Sequence, residues 1–233
     1  MPIKLSVLGA TGKMGRRILQ LGRSDPEFQI VGGFTTRSEL GLQDLDVPLC
    51  TDASSAIALC DVAIDFTLPS ATRAHLEAAI LANKPLVIGT SGHSEEEKRE
   101  IESAATKIPI LFSPNFSLGI ALCLEAVSKF SKALPKASTI KIIETHHIHK
   151  KDSPSGTALA LACAIGEEKD VPIEAIRSGE VIGEHTVIFE CGHERIELKH
   201  TAHSRDAFAL GALLGAKFLS RQKPGLYSLK DLF

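Results

Sequence analysis

Gly9, Gly12 and Gly15 lie between an apolar strand pattern, Ile3–Leu8, and a helical pattern, Lys13–Leu21. That order leaves the chain few ways to begin folding. A strand that ends on glycine must turn sharply, and Gly9 permits the turn. At Gly12 a side chain would block a pyrophosphate from the backbone. At Gly15 a side chain would hold the helix off the strand. The loop Gly9-Ala10-Thr11-Gly12-Lys13-Met14-Gly15 therefore predicts a βαβ opening that binds a dinucleotide.

The following residues repeat the alternation. Strand patterns occur at Gln29–Phe34, Val62–Phe66, Leu86–Gly89 and Ile108–Phe112. Pro69-Ser70 opens an Ala-rich helix to about Ala82, and Ser94 with Glu97 forms a capping box. Strands alternating with helices imply a parallel sheet. The pattern changes near Pro114-Asn115. A long helical run, Leu118–Leu134, leads to a strand at Thr139–Thr145 and a helix at Ser155–Glu167. Val187–Cys191 and Arg195–His200 read as an antiparallel hairpin, and Ser204–Ser220 as a helix. The fold class is α/β: a Rossmann-type parallel-sheet domain over 1–117, then an α+β domain over 118–204.

Cofactor preference is set where the second strand ends. An NAD site usually holds an acidic residue there. This chain has Thr36 followed by Arg37, whose guanidinium suits a 2′-phosphate. The reading leans to NADPH and leaves NADH open.

The densest chemistry lies in Glu144–Ala158, which carries His146, His147, His149, Lys150 and Lys151 and runs into Ser155-Gly156-Thr157. A Ser-Gly-Thr helix start offers N–H groups and hydroxyls to an anion. Histidine titrates near neutrality, and lysine supplies a point charge or a proton. Together they describe a receptor for a carboxylate that must also be protonated. A metal site is not expected. Adjacent histidines after a strand point in opposite directions, and His193, His200 and His203 have no ligand spacing.

Composition narrows the partners. A formal net charge of −2 and the absence of a basic stripe argue against nucleic acid. No apolar run approaches membrane-spanning length, and the N-terminus lacks a secretory pattern. Five scattered cysteines without a CxxC fit reduced thiols and a cytoplasmic enzyme.

With these residues in place, the chain resembles the 4-hydroxy-tetrahydrodipicolinate reductase family, also called dihydrodipicolinate reductase. The family signature E-x-H-x-x-x-K-x-D-x-P-S-G-T-A is complete in Glu144, His146, Lys150, Asp152 and Pro154–Ala158. Family-like stretches also include Asp65-Phe66-Thr67, Gly89-Thr90-Ser91-Gly92, Asn115-Phe116-Ser117, Arg177-x-Gly179-x-x-x-Gly183-Glu184-His185 and Ser204-Arg205. The resemblance implies an NAD(P)H-dependent oxidoreductase of lysine and diaminopimelate biosynthesis. Its substrate is a small dicarboxylate, reduced by hydride at C4 and protonated at C3. His146 matches the family's proton donor and Lys150 its partner in catalysis and substrate holding. His147, Gly156 and Thr157 match substrate contacts. Gly89, Thr90 and Ser91 match the nicotinamide pocket, and Ser113, Asn115 and Phe116 the strand near the cofactor. The resemblance further implies that residues 205–233 return to the first domain and that the second domain's sheets build a homotetramer. Lys141 departs from the family, which often has Glu there. A different oxidoreductase would share the glycine loop without needing His146 and Lys150. A dinucleotide sensor would bind cofactor without turnover.

Overall fold

The computed structural model describes residues 1–36, 47–50, 52–135, 138–166 and 170–233. They form two compact units, Met1–Phe116 with Phe208–Phe233, and Ser117–Ala207.

The first unit is built on a six-stranded sheet. Its strands are β1 (Ile3–Leu8), β2 (Phe28–Phe34), β3 (Val62–Asp65), β4 (Leu86–Ile88), β5 (Pro109–Phe112) and, from the end of the chain, β10 (Gly225–Tyr227). Their spatial order is β10-β5-β4-β3-β1-β2, and every pairing is parallel. Between them run α1 (Lys13–Ser24), α2 (Ala53–Leu59), α3 (Pro69–Ala82) and α4 (Glu95–Ala105). Near-continuous apolar runs explain the parallel sheet: Val62, Ala63 and Ile64 of β3 and Leu86, Val87 and Ile88 of β4 are all fully buried. Ser94 and Glu97 close the expected capping box on α4. Pro69 opens α3, and Asn83 ends it in a left-handed conformation.

The chain leaves β1 for β2 and returns to β3 on the other side of β1. That reversal is the switch point at which doubly wound sheets bind ligands, beyond the strands' C-terminal ends. Gly9 and Phe66 follow the two strands concerned.

The second unit pairs four strands in the order β7-β6-β8-β9. These are β6 (Thr139–His146), β7 (Ile173–Arg177), β8 (Glu184–Glu190) and β9 (Arg195–Thr201). β6 runs parallel to β7 and antiparallel to β8, and β8 antiparallel to β9. The helices α5 (Leu118–Ala133) and α6 (Gly156–Ile165) close a core of Val127, Ile140, Ile142, Leu161, Val187 and Phe189. α7 (Asp206–Leu219) then leads to β10.

The structure differs from the sequence reading at several elements. β6 extends one residue further, to His146, and β8 begins at Glu184 rather than Val187. α6 starts after Ser155, which caps it, and its last helical residue is Ile165. α2, β7 and β10 were not expected. Each is short, and β10 has only three residues, too few for a periodic signal to emerge.

Candidate functional site

In the first unit the glycine loop takes the shape its spacing requires. Gly9 lies at φ +81°, and a Cβ there would sit 2.6 Å from the Phe66 carbonyl oxygen. A Cβ on Gly15 would sit 2.1 Å from the Gly9 carbonyl oxygen. Gly12 caps α1 without a side-chain bond. The backbone is thus bare where a pyrophosphate would approach, and α1 meets the loop with its first N–H groups uncapped by a side chain. Ala10 is buried, Lys13 is exposed and Met14 is half-buried. Thr11 and Thr35 share a 2.7 Å hydroxyl bond that joins the loop to the end of β2. Thr36 is exposed just beyond it. Arg37 lies outside the described residues.

Gly89 follows β4, and a Cβ there would fall 2.1 Å from Cζ of Phe66. Thr90 is buried and accepts a 3.0 Å bond from Thr67 N–H, whereas Ser91 is exposed. Ser113 donates to the Asn115 carbonyl at 2.6 Å. Phe116 is 2% exposed, stacks on Phe66 at 5.6 Å, and lies under α7, where a Cβ on Gly211 would collide with its carbonyl oxygen at 1.8 Å. Its side chain is core packing, not an open cofactor contact.

The second unit's site follows from strand alternation. Ile140 and Ile142 point into the core, so Glu144 and His146 continue on the same face of β6. His185 lies directly across from Glu144 on β8, and Arg177 pairs with His146 on β7. Three strands therefore deliver four polar side chains to one end of the buried face.

Glu144 is fully buried and holds the group together. One carboxylate oxygen accepts from His146 Nδ1. The other accepts from Ser155 N–H at 3.1 Å and from the Arg177 guanidinium at 3.0 Å. Burial pushes the Glu144 carboxyl up, but the Arg177, His146 and Ser155 bonds together outweigh it and hold the group below its ordinary range. Arg177 also donates to the Asp152 carbonyl at 2.6 Å, fixing the loop that carries Lys150. Lys150 Nζ meets the Asp152 carboxylate at 2.8 Å. Burial raises Asp152, and the Lys150 bond more than reverses this, leaving it lowered.

Burial lowers His146, while Glu144 opposes the shift. An ionised Glu144 accepting at Nδ1 assigns the proton there and leaves Nε2 for chemistry. A Cβ on Gly183 would stand 3.1 Å from Nε2, so glycine keeps that nitrogen uncrowded. His185 is pushed down to about 4, first by burial and then by the neighbouring His146. It is a neutral ring packed edge-on to His146 at 5.0 Å.

Ser155 departs from its expected role as part of an anion nest. It is 2% exposed, its hydroxyl accepts from Ala158 N–H at 3.2 Å and meets His185 Nε2 at 3.2 Å, and its N–H serves Glu144. Every polar atom it could offer a ligand is engaged inside the protein. Gly156 is exposed and Thr157 half-buried, on the first turn of α6. His147 follows β6, with its ring 6.2 Å from that of His149, and its carbonyl accepts from Lys150 N–H. His149 faces Glu180 at the surface.

Ligand atoms of Glu144, His146 and His185 lie within 4.8 Å of one another, a grouping that sequence spacing did not indicate. All three are already hydrogen-bonded within the protein, so we assign the cluster as a proton-holding network. Sequence reasoning missed Glu144, Arg177 and His185 as site residues. The available signal for Glu144 was its place, two residues after Ile142 in a strict alternation.

Comparison with known proteins shows the family. Residues 3–116 match the N-terminal family of dihydrodipicolinate reductase, and residues 119–233 the C-terminal family. A 4-hydroxy-tetrahydrodipicolinate reductase of Caldanaerobacter subterraneus is 39% identical over 252 residues, covering 100% of this chain and 98% of the relative. One from Xanthomonas campestris is 40% identical over 233 residues, covering 99% and 98%. The dipicolinate-bound dihydrodipicolinate reductase of Paenisporosarcina sp. has the same fold, with a TM-score of 0.86 at 24% identity and full coverage of both chains. Two halves of one family matched in order along the chain, with the same fold in a solved member, place this protein in the dihydrodipicolinate reductase family.

Proposed function

We propose that the protein reduces 4-hydroxy-tetrahydrodipicolinate to tetrahydrodipicolinate with NAD(P)H, in lysine and diaminopimelate biosynthesis. The observation that carries the chemistry is the Glu144–His146 pair, a buried carboxylate holding an imidazole by Nδ1 beside a lysine and a helix start. A generic fold has no need of this arrangement.

Gly9–Gly15 would hold the pyrophosphate, and Gly89, Thr90 and Ser91 the nicotinamide side. The 4-hydroxyl of the substrate leaves as water, and the cofactor, when bound, would supply the hydride that arrives at C4. The chain's own residues do the rest. The N–H groups of Gly156 and Thr157 and the charge of Lys150 orient the two carboxylates, with His147 beside them. His146, held by Glu144, and Lys150 are the groups that carry a proton to C3. Positioned donors of this kind contribute about 10²–10⁴-fold. The test is oxidation of NADPH and NADH on mixing with freshly generated 4-hydroxy-tetrahydrodipicolinate. Cofactor binding without turnover would sink this reading and favour a sensor.

The His146 environment predicts a pH profile. Burial lowers its proton affinity from the ordinary value of 6.5. The proton-loaded form is lost as pH rises through that lowered value, so kcat/KM, which reports free enzyme, falls with rising pH from below 6.5. A bound dicarboxylate adds negative charge and raises the histidine, so the kcat profile falls at higher pH. Profiles measured from pH 5 to 9 check the separation. Coincident limbs would exclude His146 as the titrating donor.

We further propose a homotetramer assembled on the second unit's sheet. α5 and α6 pack on the Ile142 face. Among the described residues of this unit, no helix packs on the opposite face, which presents Ile143, Thr186 and Ile176. Lys141 lies on that face and pairs with Glu174 at 2.6 Å, away from Glu144. Sedimentation is expected to show a tetramer, with Ile176→Arg giving smaller species and an unchanged first unit. A monomeric wild type would refute the assembly. Cys50, Cys60, Cys123, Cys163 and Cys191 are all free thiols, and among the described residues no helix is long and apolar enough to cross a membrane. The free thiols support a cytoplasmic setting.

A further inference from the structure

Asp65 is the last residue of β3, is fully buried, and has both carboxylate oxygens occupied. Oδ1 accepts from Thr67 N–H at 2.9 Å and from the Thr67 hydroxyl at 2.6 Å. Oδ2 meets His75 Nδ1 at 2.6 Å. His75 comes from α3, is 3% exposed, and stands edge-on to Phe34 at the end of β2. A carboxylate in the middle of a parallel sheet is costly to bury, and the sheet itself does not need one.

What the carboxylate fixes is the turn after β3. Thr67 N–H is shared with the Thr90 hydroxyl at 3.0 Å, which ties that turn to the residues after β4. Phe66, between Asp65 and Thr67, packs its carbonyl against Gly9 and its ring against Gly89. Both contacts are too close for any side chain at either glycine. A shift of Thr67 therefore moves Phe66, and Phe66 cannot move without displacing the Gly89-Thr90 segment.

The geometry points to Asp65 and His75 as positioning residues for the nicotinamide half of the cofactor site. They touch no ligand themselves. They act through Thr67 and Thr90, which set where Gly89, Thr90 and Ser91 stand. The inference rests on reading Gly89–Ser91 as the nicotinamide side. The adenosine and pyrophosphate half is carried by Gly9–Gly15, the loop that opens α1; it touches Phe66 at Gly9 but has backbone anchors of its own, Gly9 and Ala10 N–H on the Phe34 carbonyl and Gly12 N–H on the Gly9 carbonyl.

The test compares two ligands on the full-length enzyme. NADPH contains the nicotinamide, and 2′-phospho-ADP-ribose lacks it. His75→Leu is expected to weaken NADPH binding about tenfold, the scale of one lost charge-assisted bond, and to raise KM for NADPH accordingly. Affinity for 2′-phospho-ADP-ribose is expected to stay within about twofold, since the backbone bonds that anchor the Gly9–Gly15 loop do not include His75. His75→Asn places an amide N–H near the position of Nδ1 and restores most of the loss. Parallel loss of both ligands would show a merely structural pair and overturn the proposal, as would no loss of either. If His75→Leu does not fold, Asp65→Asn is measured against the same two ligands with the same expected split. Ser91→Trp is run alongside, because Ser91 is exposed at the same rim. If Ser91→Trp leaves NADPH binding and turnover untouched, the nicotinamide reading itself fails. If it blocks them while the His75 and Asp65 variants behave as wild type, only the positioning role fails.

Discussion

His146→Ala is expected to lower kcat by about 10²–10⁴-fold, the loss typical of a removed general acid, while NADPH affinity stays at the wild-type value. The two effects separate because His146 stands on β6 of the second unit and the glycine loop stands in the first. Lys150→Ala is expected to differ in kind. Its ammonium is only partly buried and pairs with Asp152, so it is available both to a carboxylate and to a proton-accepting carbon. Losing it raises KM as well as lowering kcat. Steady-state kinetics on both variants, with calorimetric NADPH binding as a control, decide the matter. A His146→Ala enzyme that turns over at the wild-type rate would assign the proton to another group.

Glu144→Ala is expected to cost about 3 kcal/mol of stability, because it leaves His146, Ser155 N–H and the partly buried Arg177 guanidinium without their common acceptor. Glu144 satisfies Arg177, His146 and Ser155 N–H at once. Its removal leaves the guanidinium without its carboxylate and releases the loop bound through the Asp152 carbonyl. A fall in midpoint of about 10 °C follows for a chain of this size. Glu144→Gln keeps the shape and one acceptor but loses the charge that favours protonated His146. It is expected to remain folded and to lose turnover. Thermal melts and kinetics on the pair separate the two duties. Equal stability in wild type and Glu144→Ala would show that the network contributes nothing net.

The parts of this arrangement that could be read in the sequence are those with local signatures. Gly9, Gly12 and Gly15 are constrained by contacts within their own strand–loop–helix, so their spacing is informative. The run from His146 to Thr157 is contiguous, and its residue types announce an anion and a proton. The tie of Arg177 and His185 to Glu144 was not legible, because it is set by strand pairing rather than by chain neighbours. Glu144 was quoted as part of a signature without a role. A carboxylate at a core-facing position reads as a break in the pattern until its three donors are visible. Ser155 was misjudged for a related reason. Its helix-capping chemistry looks the same in sequence whether the N–H serves a ligand or a buried glutamate. The same limit hid the partnership of Asp65 with His75, which joins a strand end to a helix face.

The sheet of the first unit ends in β10, whose residues Gly225–Tyr227 pair with Pro109–Leu111 of β5. The intervening chain forms the whole second unit and then α7. During synthesis, β5 therefore emerges long before the strand that covers it. Its N–H and C=O groups remain an open edge until β10 has been made. The second unit, continuous in sequence, can close first, while the cofactor-binding unit waits on β10. Nascent chains stalled before residue 225 would carry a completed insert on an unfinished host, and that species is where chaperone dependence would concentrate.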